Sequence, residues 1–471
     1  MADELWRWSA SEVRARVGAG EVSAREVTAA AIARMEAVNP ALNAVVISCA
    51  DEAMARAGEL DEAQARGEVL GLLHGVPVTV KINVDQRGHA TSNGVAAFAG
   101  MIAAEDAPVV AHLRRAGAVI IGRTNTPEFS FRADTDNPLH GRTHNPWGPH
   151  VSAGGSSGGA AAAVMAGIGA LAHGNDIGGS LRFPAYACGA ATVKPGLGRV
   201  PAFNPSQPAE RGLLAQSMSV QGLIARDAQD VALGMRALVE PDPRDPWHVP
   251  QPFDQPPLAE RPTVAFCTDT GDVPLHADVR TALDAAAAAL AAAGYPIEEA
   301  SAPMLHEVGE VGFRALMGET EALLGDAIRQ YGSPVIKAVF ESYYQLFPPL
   351  LGSELLAAMA KRSHYARAWN AFLQRYPLVL APLLPAPFFA PNRDADGIEG
   401  VRQTLGTGSW SFAMNFLGLP AGIAAAHVNA TQPIGVQIIG QRWREDVILQ
   451  ACGVVEAAAG SMADRLWQRP G

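Results

Sequence analysis

Two glycine-rich turns carry the residues best suited to covalent chemistry. The first, Gly154-Gly155-Ser156-Ser157-Gly158-Gly159, runs directly into the apolar stretch Ala160 to Ala166. Glycines that lead into a helix N-terminus expose backbone N–H groups and let a small hydroxyl side chain lie close to other backbone. The second, Asp176-Ile177-Gly178-Gly179-Ser180-Leu181-Arg182, places a serine 24 residues beyond Ser156. Two consecutive glycines before a serine let several N–H groups converge beside its hydroxyl, which suits an oxyanion hole for a tetrahedral intermediate. A serine nucleophile also needs a base. Lys81 ends the strand-like run Val76 to Val80, and its apolar neighbours Val80, Ile82 and Val84 would depress its pKa by desolvation. An ordinary lysine is neutral in only about 0.04% of molecules at pH 7, so service as a base requires roughly 3–5 kcal/mol of differential destabilisation of the charged form.

Simpler readings compete at each point. A flexible Gly/Ser linker would continue in low complexity, whereas this one is bounded by an apolar helix. A phosphate-binding loop requires Lys and then Ser or Thr after its last glycine, and Ala160-Ala161 supplies neither. Gly154-x-Ser156-x-Gly158 formally matches the nucleophile elbow of α/β-hydrolases, in which Ser156 would be the nucleophile. That elbow needs a strand directly before it, and Asn145-Pro146-Trp147-Gly148-Pro149 is turn material. His140-x-x-x-His144 has the spacing of two metal ligands on a helix, but Gly141 and Pro146 argue against a helix there. No metal site and no organic cofactor is expected. Taken singly, a Gly-Gly-Ser turn is structural more often than catalytic, and a lysine at a strand end is usually a surface residue.

The elements that must position these groups read as α/β. Ser23 and Glu26 form a capping box at the start of a helix that Asn39-Pro40 should end. Val76 to Val80 reads as a strand, and a helix from about Pro108 to Gly117 leads into the buried strand Val119-Ile120-Ile121. Residues 280 to 376 read as long helical stretches. A Pro-rich passage (Pro377 to Pro391) follows, then a strand at Val436 to Ile439 and a closing helix near Val447 to Ala459. Helix, short turn, strand is the rhythm of an α/β fold. One such domain is expected, with an N-terminal helical region (1–65), a core (66–245), a largely helical insertion (250–390) and a C-terminal return to the core (400–471).

Composition narrows the function. Among 471 residues, 36 Lys and Arg against 47 Asp and Glu leave a net charge of −11, which argues against a nucleic-acid surface. Four scattered cysteines (Cys49, Cys188, Cys267, Cys452) are too few for a disulfide framework and lack zinc-finger spacing. The first 17 residues interleave charges with apolar residues and contain no signal-peptide core. The longest apolar run, Ala160 to Ala172, falls short of the about 20 residues that a membrane helix needs. A soluble cytoplasmic protein with no membrane partner is the expectation.

Several stretches taken together resemble the amidase signature family. They are Gly75-Val76-Pro77-Val78-Thr79-Val80-Lys81, Gly122-Arg123-Thr124-Asn125-Thr126-Pro127-Glu128-Phe129, Arg142-Thr143-His144-Asn145-Pro146-Trp147, both glycine turns, Val193-Lys194-Pro195, Gly418-Leu419-Pro420-Ala421 and Gly435-Val436-Gln437-Ile438-Ile439-Gly440. The resemblance covers both ends of the chain and is weak between residues 250 and 390. It implies a large mixed β-sheet flanked by helices on both faces. It also implies a Ser-Ser-Lys triad, with Ser180 as nucleophile, Ser156 in a cis peptide as bridge, and Lys81 as base. The oxyanion hole would be the N–H groups of Ile177, Gly178, Gly179 and Ser180. Asp176 and Arg182 would support the turn, and Ser157 would hydrogen-bond in the same network. Asn83, Asn175 and Gly196 depart from residues common in the family and are expected beside the site, not in it.

The implied activity is hydrolysis of a small carboxylic amide to the acid plus ammonia or amine. The other reading is a glutaminase-type subunit of an amidotransferase assembly; a homodimer is also open. Between Phe313 and Phe389 lie 12 of the chain's 30 aromatic residues. That concentration makes Tyr343, Tyr344, Phe347, Tyr365 and Trp369 candidates for an apolar substrate cavity, with a plain helical core as the alternative.

Overall fold

The Ser23–Glu26 capping box forms. Ser23 Oγ accepts from the Glu26 N–H at 3.1 Å, and the Glu26 carboxylate accepts from the Ser23 N–H at 2.9 Å. The helix it starts, Ala24–Leu42, does not stop at Asn39-Pro40 but runs through Pro40 for two more residues. Asn39 explains the exit. Its side-chain oxygen accepts from the Ala44 and Val45 N–H groups and its amide donates to the Val45 carbonyl, so the chain turns straight into a strand.

This computed structural model describes residues 2–207 and 209–469, and Met1 of the opening stretch lies outside them. Among the described residues the strands are β1 (Val45–Ser48), β2 (Pro77–Lys81), β3 (Val119–Thr124), β4 (Leu171–Asp176), β5 (Ala191–Lys194), β6 (Val220–Ala225), β7 (Val264–Phe266), β8 (Ile297–Glu299), β9 (Leu378–Ala381), β10 (Ala421–Val428) and β11 (Pro433–Gly440). They form one sheet in the order β1-β3-β2-β4-β6-β5-β10-β11-β9-β7-β8. The sheet is mixed: β3, β2 and β4 are parallel, β4 to β9 alternate antiparallel, and β9, β7 and β8 are parallel again.

Helices cover both faces. Gly422 on β10 lies under Ile448 of the helix Glu445–Ala459, whereas Gly435 on β11, which points the other way, lies under Tyr186 of the helix Arg182–Cys188. β2, β3, β6 and β11 are consequently buried at every residue, as apolar strands covered on both sides must be. The apolar run from Ala160 divides between a helix (Gly158–Met165) and β4. The segment Glu445–Trp467 is long and apolar enough to cross a membrane, but it breaks at Gly460 and packs on β10. All four cysteines are buried and free.

The stretch expected as a helical insertion contains four long helices among the described residues, Ala277–Ala292, Leu305–Tyr331, Pro334–Leu346 and Gly352–Arg375. It also supplies β7, β8 and β9, which extend the sheet beyond β11. β9 sits inside the Pro-rich passage. Its four residues are held by antiparallel pairing to β11 and parallel pairing to β7, long-range contacts with no local signature.

Candidate active site

β2 and β4 are parallel neighbours, so Lys81 at the end of one and Asn175-Asp176 at the end of the other emerge at the same edge of the sheet. The first glycine turn passes over that edge before entering the helix Gly158–Met165. The Gly155–Ser156 peptide is cis. Lys81 is fully buried, and its Nζ lies 2.7 Å from Ser156 Oγ, 2.9 Å from Asn175 Oδ1 and 3.1 Å from Ser157 Oγ. Burial holds the lysine well below its ordinary pKa, opposed by the nearby Asp176 charge. A buried amine among neutral acceptors is in the state that a general base requires.

The close approach of the first turn depends on a missing side chain. A Cβ on Gly155 would stand 2.3 Å from the Arg132 carbonyl oxygen and 2.8 Å from the Ala133 carbonyl carbon.

The second turn is held by Asp176. Burial would raise its pKa, but the charge and hydrogen bonds of Arg182 bring it to about 2. Arg182 is itself fully buried and donates from Nε to Asp176 Oδ2 and from Nη2 to Oδ1, each at 3.0 Å. Three residues from distant sequence complete the support. Asn415 Nδ2 donates to Asp176 Oδ1 at 3.0 Å, Gln437 Oε1 accepts from Arg182, and Ser411 Oγ donates to the Gly178 carbonyl. No local motif marks Ser411, Asn415 or Gln437; only the pairing of β11 and the helix Ser409–Leu417 bring them here.

Of the four backbone donors expected for an oxyanion, Gly179 is already engaged, its N–H donating to Asp176 Oδ1 at 2.8 Å. Among the described residues no acceptor engages the N–H groups of Ile177, Gly178 or Ser180, leaving three. The two turns are joined where the Ser157 N–H donates to the Ser180 carbonyl at 3.2 Å. Ser156 is buried to 1% exposure, whereas Ser180 is half-buried and lines a cleft.

That cleft is lined by Phe131, Phe183, Phe313, Tyr343 and Phe412 with Leu316 and Leu405. Phe313 and Phe412 stack at 4.2 Å. Only Tyr343 of the five aromatic residues singled out above lies on its wall, and its hydroxyl donates to the Phe131 carbonyl at 2.9 Å. The others correct that expectation. Phe347 sits behind the wall against Phe313, and Tyr344 packs on Phe340. Tyr365 donates to Glu307, and Trp369 is fully buried against Trp410. Ring density in one segment marked the helical core; the cleft draws its rings from four separate segments.

Asn175 corrects a second expectation. It is not beside the site but in contact with the lysine amine, and it exchanges hydrogen bonds with Asn83 at 3.0 and 3.2 Å. Among the described residues no group of three or more His, Cys, Asp or Glu side chains is arranged to hold a metal ion.

An α/β sheet with a buried lysine beneath two serine-bearing turns defines a class of hydrolase-like folds. The chain belongs to the amidase signature family, the Amidase model matching residues 26–449. It is 44% identical over 465 residues to the indoleacetamide hydrolase of Bradyrhizobium diazoefficiens, covering 98% of this chain and 89% of that one. It is 33% identical to the acylamidase of Rhodococcus erythropolis, covering 97% of each. A solved bacterial aryl acylamidase of the amidase signature family superposes with a TM-score of 0.85 at 27% identity, covering 98% of this chain and 99% of that one.

Proposed function

We propose that this chain hydrolyses a small carboxylic amide bearing an aryl group, releasing the acid and ammonia or an amine. The observation that carries this reading is the fully buried Lys81 amine 2.7 Å from Ser156, below a turn whose Ser180 faces a cleft walled by five aromatic rings. Similarity to an indoleacetamide hydrolase and an aryl acylamidase supports an aryl substrate.

In this reading neutral Lys81 takes the proton of Ser156 as Ser156 takes that of Ser180. The Ser180 oxygen bonds to the amide carbonyl carbon, and the oxyanion is met by the N–H groups of Ile177, Gly178 and Ser180. The relay then runs backwards: Lys81 returns a proton through Ser156 to the leaving nitrogen as the C–N bond breaks. Water repeats the sequence on the acyl-serine and frees the acid. No cofactor is needed, and the enzyme works in the cytoplasm on a small molecule without a nucleic-acid, membrane or ammonia-accepting partner, as a monomer or homodimer.

The test is ammonia release by the purified full chain from indole-3-acetamide, phenylacetamide, acetamide and glutamine, with a fluorophosphonate used to mark the nucleophile. Turnover of the aryl amides and label on Ser180 are expected. Turnover of glutamine alone would support the amidotransferase-subunit reading, and label on Ser156 the elbow reading. That elbow has little in its favour: among the described residues no strand leads directly into Ser156, and its hydroxyl is bonded to the lysine amine, while Ser156 does not line the cleft.

A further inference from the structure

The three neighbours of Lys81 Nζ differ in what their oxygen atoms can do. Asn175 Oδ1 only accepts, so it must receive an N–H at 2.9 Å. Ser157 could in principle donate, but its hydroxyl proton is directed to the Asn175 main-chain carbonyl at 3.4 Å, so its oxygen receives the second N–H at 3.1 Å. A neutral amine has two N–H groups and one lone pair. With both N–H groups placed, the lone pair faces Ser156, the nearest neighbour at 2.7 Å. When the lysine is protonated, the same three oxygens accept its three N–H groups, and only Ser156 has had to reverse.

A second amide holds Asn175 in this orientation. Its Nδ2 donates to Asn83 Oδ1 at 3.0 Å, and Asn83 Nδ2 donates back to Asn175 Oδ1 at 3.2 Å. Asn83 cannot flip without losing a further bond, from its Nδ2 to Ser130 Oγ at 3.0 Å. Ser130 Oγ donates to Asn93 Oδ1 at 2.6 Å and lies 2.9 Å from Thr126 Oγ1. Ser130 lies on the cleft wall, so the chain of oriented bonds runs from the cleft to the lysine. A flipped Asn175 would aim an N–H₂ at the amine and destroy the arrangement.

We propose that the reciprocal Asn83–Asn175 amide pair is a positioning device that restricts proton exchange at Lys81 to Ser156. It is neutral by design of its residues: a carboxylate at 175 would accept the same N–H but would stabilise the ammonium form. This inference rests on the reading of Lys81 as base, and the experiment separates the two.

The second-order rate of fluorophosphonate labelling of Ser180 is followed from pH 5 to 10 in the full-length chain and its variants. With Asn175→Asp the midpoint of the rise with pH is expected to move up by at least one unit. With Asn175→Leu or Asn83→Leu the plateau itself should fall at least tenfold, because the amine is no longer aimed. Parent midpoint in Asn175→Asp, or parent plateau in both leucine variants, overturns the proposal. Should Asn175→Asp fail to fold, Asn83→Leu alone decides it, since that residue does not touch the lysine. Lys81→Met is the control. Its labelling at the parental rate would remove the base reading itself, whereas its silence alongside unaltered asparagine variants would remove only the positioning role.

Discussion

Asp176 and Arg182 meet through both oxygens and two guanidinium nitrogens, at 3.0 Å for each pair, with neither side chain reaching solvent. The pair spans the second glycine turn like a brace, and breaking one half strands a charge in the interior. Arg182→Gln should therefore cost about 3–5 kcal/mol of stability, read as a lower urea midpoint. Asp176 titrates near 2 against an ordinary 3.8. The folded pKa is the lower one, so the stabilisation is complete above pH 3.8 and is lost as the pH falls toward 2. An acid-unfolding curve of the parent should show that loss, and the Asp176→Asn variant should lack it.

Gly155→Ala places a methyl group against main-chain atoms of residues 132 and 133 that cannot rotate aside. A cost on the order of 1–3 kcal/mol is expected from such overpacking. Because Ser156 follows directly, labelling of Ser180 should also slow more than tenfold. Thermal denaturation and fluorophosphonate kinetics on the same preparation check both parts.

The cleft wall and the helical core make opposite forecasts for two large rings. Phe412 stacks on Phe313 inside the cleft, so Phe412→Ala should raise KM for an aryl amide at least tenfold more than for acetamide. Trp369 is fully buried against Trp410 and does not line the cleft, so Trp369→Ala should cost about 3–5 kcal/mol and leave the ratio of kcat/KM between the two substrates unchanged. Steady-state kinetics and melting temperatures of the two variants distinguish them.

Lys194 is a second fully buried lysine, one that the proposed relay leaves unused. Desolvation, reinforced by the Arg182 charge, lowers its pKa to about 7 despite Asp176 and Glu445. Between pH 7 and 10.5 the unfolded chain holds a proton that the folded one has lost, so this group makes stability rise with pH across that window, by up to about 1.4 kcal/mol per unit. Lys194→Met should flatten that rise. Urea midpoints measured from pH 7 to 10 in parent and variant give the difference directly.

Which of these features the sequence discloses depends on how far apart the partners lie. The Ser23–Glu26 capping box spans four residues and is legible at once. Both glycine turns and Lys81 are legible because unusual residue types are concentrated there. The chemical setting of Lys81 is only half legible: Asn175 stands in the second turn, but that its oxygen touches the amine follows from the β2–β4 pairing. The cleft rings are the least legible. Phe131, Phe183, Phe313 and Phe412 come from four segments and meet only after the chain has folded, whereas Tyr365 and Trp369, from the dense aromatic run, are buried between the helix Gly352–Arg375 and its neighbours. β7, β8 and β9, of three or four residues each, are too short to carry a period of their own.

The placement of β10 and β11 between β5 and β9 has a consequence for biosynthesis. A ribosome delivers the chain from its N-terminus, so every strand through β9 emerges before the two that join the sheet's halves. Until residues 421–440 appear, β5 presents an unpaired edge, open to strands of other nascent chains. A premature stop near residue 400 therefore yields two half-sheets with exposed seams, and the expected product is insoluble material in place of a shorter enzyme.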